Sequence, residues 1–247
     1  MKIWRCFQTV GAMLLLTAGC AKQDKLPSTR DVAPHLQARL EAVIADQDFD
    51  GVRSALSAGA RADVALPSGL TPLLEAAQLQ NVSIVRLLLQ SGADPNEPIP
   101  RSPTTPLAVA VYSHGRALVE ELLKAGADPN KRFEGGMTPL GRASVALGGA
   151  AIGSLVAAGA DVNAWNLDPA SDYPGGYHPG KAEGRTALMM AAASGNDLAV
   201  LELLECGADP TLRNERGLAA IDLVRDHAAE IRGALARAER SNAWRKR

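Results

Sequence analysis

Two short motifs recur in step along the chain, and their spacing constrains the fold more than any other feature. Thr71-Pro72-Leu73, Thr105-Pro106-Leu107, Thr138-Pro139-Leu140 and Thr186-Ala187-Leu188 begin at intervals of 34, 33 and 48 residues. Gly-Ala pairs stand at Gly59-Ala60, Gly92-Ala93, Gly126-Ala127, Gly159-Ala160 and Gly207-Ala208, and the last four run on into Asp94, Asp128, Asp161 and Asp209. From each Thr to its Gly is 21 residues in all four units. A period near 33 makes the 247 residues an array of small units rather than one or two conventional domains.

Residue types supply the physics of one unit. Thr caps a first helix by accepting a backbone N–H, and Pro suits the first helical turn, where no N–H bond is lost. That helix is short and rich in alanine, as at Ala76-Ala77 and Ala191-Ala192, so neighbouring units can approach closely. A second helix carries apolar runs such as Leu87-Leu88-Leu89, Leu122-Leu123 and Leu203-Leu204. Gly ends it, being the residue most able to take positive φ. Asp-Pro-Asn or a variant then turns the chain out and back to the next Thr. A single unit cannot bury its apolar face, whereas a stack of them can. Composition agrees: 47% of residues are hydrophobic but only 4% aromatic, so the core is built from small residues and leucine.

This pattern resembles the ankyrin repeat family over about residues 35–240. The resemblance implies an all-α fold, a solenoid of stacked helix-turn-helix units with hairpin-like finger loops. It divides the domain, 35–241, into an N-terminal cap repeat at 35–67, units at 69–102, 103–135, 136–183 and 184–216, and a C-terminal cap at 217–241. Departures stand out. The family's His after Thr-Pro-Leu is replaced by Leu74, Ala108, Gly141 and Met189, and Val111 and Ser144 replace the second Ala. Only Gly195 keeps the Gly between the helices. Losing the His removes recurring bonds between units, which predicts a less stiff solenoid.

Residues 1–19 read as an export signal. Lys2 and Arg5 precede an apolar run, Val10 to Leu16, too short to span a bilayer, which needs about 20 apolar residues. Leu16-Thr17-Ala18-Gly19-Cys20 resembles the lipobox of bacterial lipoproteins, with Thr17 where Leu is commoner. That resemblance implies lipidation at Cys20, which becomes the mature N-terminus. In the enterobacterial sorting rule that this resemblance brings with it, Asp after the cysteine would hold the protein at the inner membrane, so Ala21 implies the outer membrane, facing the periplasm. Residues 20–34 then form a tether, with Pro27 and Pro34. Cys6 leaves with the signal and Cys20 takes lipid, so of three cysteines only Cys206 remains and no internal disulfide is expected.

The 48-residue interval exceeds 33 by 15, and the excess lies at about 164–183. It holds Trp165, Asp168, Asp172, Tyr173, Tyr177 and His178. Insertions between repeats map to loops on one face, and amphipathic aromatics are favoured interface anchors. Packing back onto the solenoid is the competing reading for those aromatics. Asp168, Asp172 and His178 match no EF-hand or zinc spacing and read as solvated loop residues. In the family, residues late in each first helix face the binding groove. Here these include Glu75, Gln78, Tyr112, Arg142 and Met190, a mixture suited to a protein surface.

Catalytic chemistry has little footing. His35, His114, His178 and His227 lie in different units, and no nucleophile elbow, phosphate-binding loop or paired CxxC occurs. No cofactor is implied. With 26 basic and 27 acidic residues, the net charge of -1 argues against nucleic acid. The basic tail, 242–247, reads as a solvated end, with contact to anionic lipid or an acidic partner as the alternative. The expectation is a monomeric, non-catalytic, periplasmic protein-binding module. It occludes one specific partner such as a toxic effector enzyme, as exported ankyrin proteins of the immunity type do. The alternatives are an accessory scaffold for an exported enzyme such as a catalase, or a structural envelope lipoprotein.

Overall fold

A computed structural model describes residues 34–146, 151–166, 184–224 and 229–241. Each central unit opens as its residue types dictate. The hydroxyls of Thr71, Thr105, Thr138 and Thr186 accept the N–H groups of Leu74, Ala108, Gly141 and Met189 at 3.2, 3.3, 3.0 and 3.3 Å. Behind these caps run the first helices α3 (Pro72–Gln78), α5 (Pro106–Tyr112), α7 (Pro139–Val145) and α9 (Ala187–Ser194), preceded by α1 (Pro34–Ala45) in the N-terminal cap. The second helices are α2 (Phe49–Ser57), α4 (Val82–Gln90), α6 (Arg116–Lys124), α8 (Ile152–Ala157) and α10 (Asp197–Glu205), and α11 (Ala229–Ser241) closes the array.

The stack forms two layers. First helices pack in sequence, α1 on α3, α3 on α5, α5 on α7 and α7 on α9, with α9 against a short 3₁₀ turn at Ala220–Leu223. Second helices pack likewise from α2 through α10 to α11. Small side chains set the spacing of the inner layer: Ala76, Ala77, Ala110, Ala143, Ala191 and Ala192 are all buried. Branched residues fill the space between layers, among them Ile84, Val85, Leu88, Leu118, Leu122, Ile152, Leu155 and Leu203. Each of these removes roughly 1.5–3 kcal/mol worth of apolar surface from water.

Turns close each unit. The glycines that end the second helices, Gly59, Gly92, Gly126, Gly159 and Gly207, have φ between 89° and 106°, a region open to few other residues. The turn between the two helices also passes through positive φ, at Gln47, Gln80 and His114 (55°, 55° and 56°) and at Gly195 (75°). Only the last has the residue suited to it. Helix α8 has no side-chain cap of its own, and Glu202 of α10 accepts the Gly153 N–H at 2.9 Å in its place.

Successive fingers are joined by asparagines. The Asn96 carbonyl oxygen accepts from Asp128 N–H at 2.8 Å and its amide donates to Gly126 O at 3.1 Å. Asn130 repeats both bonds one unit on, to Asp161 N–H at 2.8 Å and Gly159 O at 3.0 Å. Asn163 accepts from Asp209 N–H at 2.8 Å, although 46 residues of chain separate them. The insertion therefore leaves the stacking step unchanged. These bonds qualify the loss of stiffness expected from the missing His, since inter-unit bonding is carried by the fingers instead. Among the described residues the solenoid is helical apart from one two-residue antiparallel pair, β1 (Trp165–Asn166) with β2 (Arg185–Thr186), at the base of the insertion.

Candidate protein-binding face

The insertion departs from β1 and returns through β2, with Trp165 opposite Thr186 and Asn166 opposite Arg185. Asn166 is fully buried, and all its polar capacity is used. Its carbonyl oxygen accepts from the Thr138 N–H at 2.7 Å and the Thr138 hydroxyl at 2.8 Å. Its amide donates to Ala164 O at 3.1 Å and Arg185 O at 3.2 Å. One side chain thus ties both arms of the insertion to the cap of α7. Gly141 makes room for it, because a Cβ there would stand 2.3 Å from the Asn166 oxygen. The glycine at the family's His position is a steric requirement of this asparagine. Trp165 next door packs on Gly184, whose added Cβ would meet the indole at 3.1 Å, and the residue remains 39% exposed.

A second feature spans α5 and α7. Arg142 lays its guanidinium carbon 4.5 Å from the centre of the Tyr112 ring. The Tyr112 ring meets Phe133 edge to face, with centroids 5.3 Å apart and planes at 62°. Phe133 is buried with Ala108, Met137 and Met190, and Val145 packs against them, so the stack rests on a small apolar base. Tyr112 itself is 44% exposed. The far end of α7 is fixed by Asn196, whose amide donates to Ser144 O at 3.0 Å and Ala146 O at 2.6 Å. The Arg142 Nε–H is buried with no hydrogen-bond partner among the described residues. An unsatisfied buried donor is costly, and a planar cation held on an aromatic face is preorganised to receive an anion.

Charges on the outer layer behave differently. Glu121 receives Arg86 at 2.9 Å and Lys124 at 3.3 Å, and Arg116 pairs with Glu120 at 2.9 Å. The hydrogen bond from Arg86, helped by Lys124, pulls the Glu121 carboxyl from 4.5 to about 2. The Arg116 hydrogen bond lowers Glu120 as well. Finger arginines are also engaged, Arg132 with Gly136 O at 2.6 Å and Arg213 with Gly217 O at 2.8 Å.

Of the residues expected to bind a partner, the structure brings Tyr112 and Arg142 into contact. Glu75, half-buried, and Gln78, exposed, lie on α3, the inner helix next to α5. Met190 needs correction. It is 5% exposed and belongs to the apolar base under Tyr112, because its flexible side chain fills the gap beside Phe133 and Met137. It supports the face and does not present itself on it. Asp168, Asp172, Tyr173, Tyr177 and His178 lie outside the described residues, as do Cys20 and the tail 242–247. Asn166 and Phe133 were not singled out by sequence reasoning. Phe133 carried one signal, a large apolar residue in an otherwise charged finger, Lys131-Arg132-Phe133-Glu134. No helix among the described residues is long and apolar enough to cross a membrane.

Residues 40–133 match a family model described as ankyrin repeats in three copies, and residues 183–215 match the ankyrin repeat. The stretch between the two matches contains Gly141, Ser144 and the insertion. A solved ankyrin repeat domain from Acinetobacter baumannii AYE, determined at 1.00 Å resolution, is similar at 25% identity and a TM-score of 0.68. That similarity covers 81% of this chain and 96% of that one. No match is found among curated protein sequences. The chain belongs to the ankyrin repeat family, whose repeats are protein–protein interaction modules and are typically non-catalytic.

Proposed function

We propose that this chain is a lipid-anchored periplasmic binder that occludes one specific protein, most simply a toxic effector enzyme, in the manner of an immunity protein. The observation that carries the reading is the exposed Tyr112, held between Phe133 and Arg142 on the inner face. A half-exposed aromatic fixed on both sides loses little entropy on binding, which is the property of an interface anchor. Trp165, packed on Gly184 and 39% exposed, supplies a second aromatic at the base of the insertion. Lipid at Cys20 would hold this face in the periplasm, where an incoming effector would meet it.

The test is cross-linking capture from the native periplasm with the chain from residue 20 onward carrying Cys20→Ser. A second version lacks residues 168–182 and so keeps Asn166 and Gly184, which the fold needs. One stoichiometric partner, lost or weakened on loop deletion, supports the reading. A diffuse set of partners, unchanged by the deletion, contradicts it and favours an envelope scaffold. A single partner that is an exported enzyme of the same cell favours the accessory role.

A further inference from the structure

We propose that the Arg142 guanidinium, stacked on Tyr112, is the anchor for a carboxylate of the partner, so that the segment seated between α5 and α7 is acidic. This rests on the reading of the inner face as a protein-binding face and names the chemistry of what it binds. Three observations carry it. The Arg142 guanidinium carbon lies over the Tyr112 ring, 4.5 Å from its centre, and that ring is braced by Phe133, so the cation is positioned before any partner arrives. Its Nε–H is buried and has no hydrogen-bond partner among the described residues. The outer-layer cations Arg86, Arg116 and Lys124 each face a carboxylate, and Arg132 and Arg213 each hold a backbone carbonyl. Arg142 has no such partner among the described residues, and an incoming carboxylate answers its charge at the terminal N–H groups, which are not among the buried unpartnered atoms.

The chemistry favours a carboxylate over a neutral acceptor. Guanidinium presents parallel N–H groups that match the two oxygens of a carboxylate, and charge-assisted bonds are roughly twice as strong as neutral ones. A cation placed over the electron-rich face of Tyr112 is held there by the ring and keeps its terminal N–H groups for the incoming anion.

The test uses the chain from residue 20 with Cys20→Ser, labelled with ¹⁵N, and follows the arginine Nε–H resonances. The Arg142 signal is assigned by its loss in Arg142→Lys. The probes are a hexaglutamate peptide and its hexaglutamine counterpart. Arg53 is the internal control: it stacks on Phe49 at 4.7 Å, but on α2 and already beside Asp50 at 3.5 Å. The expected result is a saturable shift of the Arg142 signal with hexaglutamate and none with hexaglutamine. Tyr112→Ala should weaken that response about tenfold while circular dichroism and melting remain those of a folded solenoid.

No response at Arg142, or an equal response at Arg53, overturns the proposal. So does an Arg142 signal that ignores the peptide but moves in Asp168→Asn or Asp172→Asn, because the chain's own insertion then supplies the anion. A partner captured from the periplasm separates this claim from the broader one. If Arg142→Gln weakens that partner about tenfold or more, as loss of a charged hydrogen bond requires, the anchor stands. If binding is unchanged, the anchor falls and the binding function remains.

Discussion

The side-chain oxygen of Asn166 stands 2.7 Å from the backbone nitrogen of Thr138 and 2.8 Å from its hydroxyl, across 28 residues of chain. The residue that opens the insertion therefore also secures the cap of the preceding unit. Loop and solenoid are one structural unit at this point, and mutations at the loop base report on fold stability. Asn166→Ala should destabilise the domain by about 2–4 kcal/mol, because it strands buried polar groups on Thr138 and removes the amide bond to Arg185 O. Gly141→Ala should cost about 1–3 kcal/mol from overpacking against the same side chain. The double variant should cost less than the sum, since removing the asparagine amide clears the space. Chemical denaturation of all four proteins measures the coupling, and strict additivity would contradict the contact.

His114 turns the chain at φ 56° where Gly195 serves in the last full unit. His114→Gly should raise stability by about 0.5–1 kcal/mol, relief of left-handed strain outweighing the entropy glycine adds to the unfolded chain. The melting temperature checks this. A fall on substitution would show that the side chain contributes more than the backbone costs.

Asn130 joins two fingers through two bonds. Asn130→Ala should cost about 1–2 kcal/mol. Because units in a solenoid contact only their neighbours, the loss should appear locally. Hydrogen exchange should quicken at the Asp161 amide, which donates to Asn130, while Asp128, held by Asn96, keeps its protection. Uniform loss along the array would contradict a nearest-neighbour ladder.

Glu121 has a folded-state pKa below its ordinary value, so its ionised form is favoured in the native state. Its contribution is present above about 4.5 and is lost as pH falls toward about 2. The cluster is largely solvent-screened, so the effect should be no more than about 1 kcal/mol and should shrink in high salt. Glu121→Gln should flatten stability over this window relative to wild type. A variant whose pH dependence matches wild type would show that Arg86 and Lys124 do not hold the carboxylate in solution.

Local periodicity carried most of the fold. Thr105 and Thr138 had to cap helices because Pro follows each, and Gly92 and Gly126 had to end them because the chain reverses there with positive φ. The position of the insertion followed from counting. What counting cannot reveal is a contact made across the period. Asn166 looks like any polar loop residue until the structure places it on Thr138, and Gly141 looks like a lost His until Asn166 occupies the space above it. The contact at the candidate face was legible in part for the same reason. Tyr112 and Arg142 were named from their positions late in first helices, and the structure brings them into contact, whereas Phe133 reaches Tyr112 from a finger, and only the packing shows that it does. Met190 was misplaced as a surface residue because helical position alone does not say which neighbour a long, flexible side chain will fill against.

The central claim is that one protein partner is held by the inner face. Affinity of the captured partner should be measured for Tyr112→Ala and Trp165→Ala, and for Leu198→Ala and Leu201→Ala on α10. Those leucines are 65% and 43% exposed on the outer layer and offer an equally apolar alternative surface. The substitutions at Tyr112 and at Trp165 beside the insertion should each cost about 2 kcal/mol or more, as hot-spot aromatics do, and the outer-layer pair should leave affinity unchanged. The reverse pattern, loss at Leu198 and Leu201 with Tyr112 and Trp165 silent, would place binding on the outer layer and contradict the account.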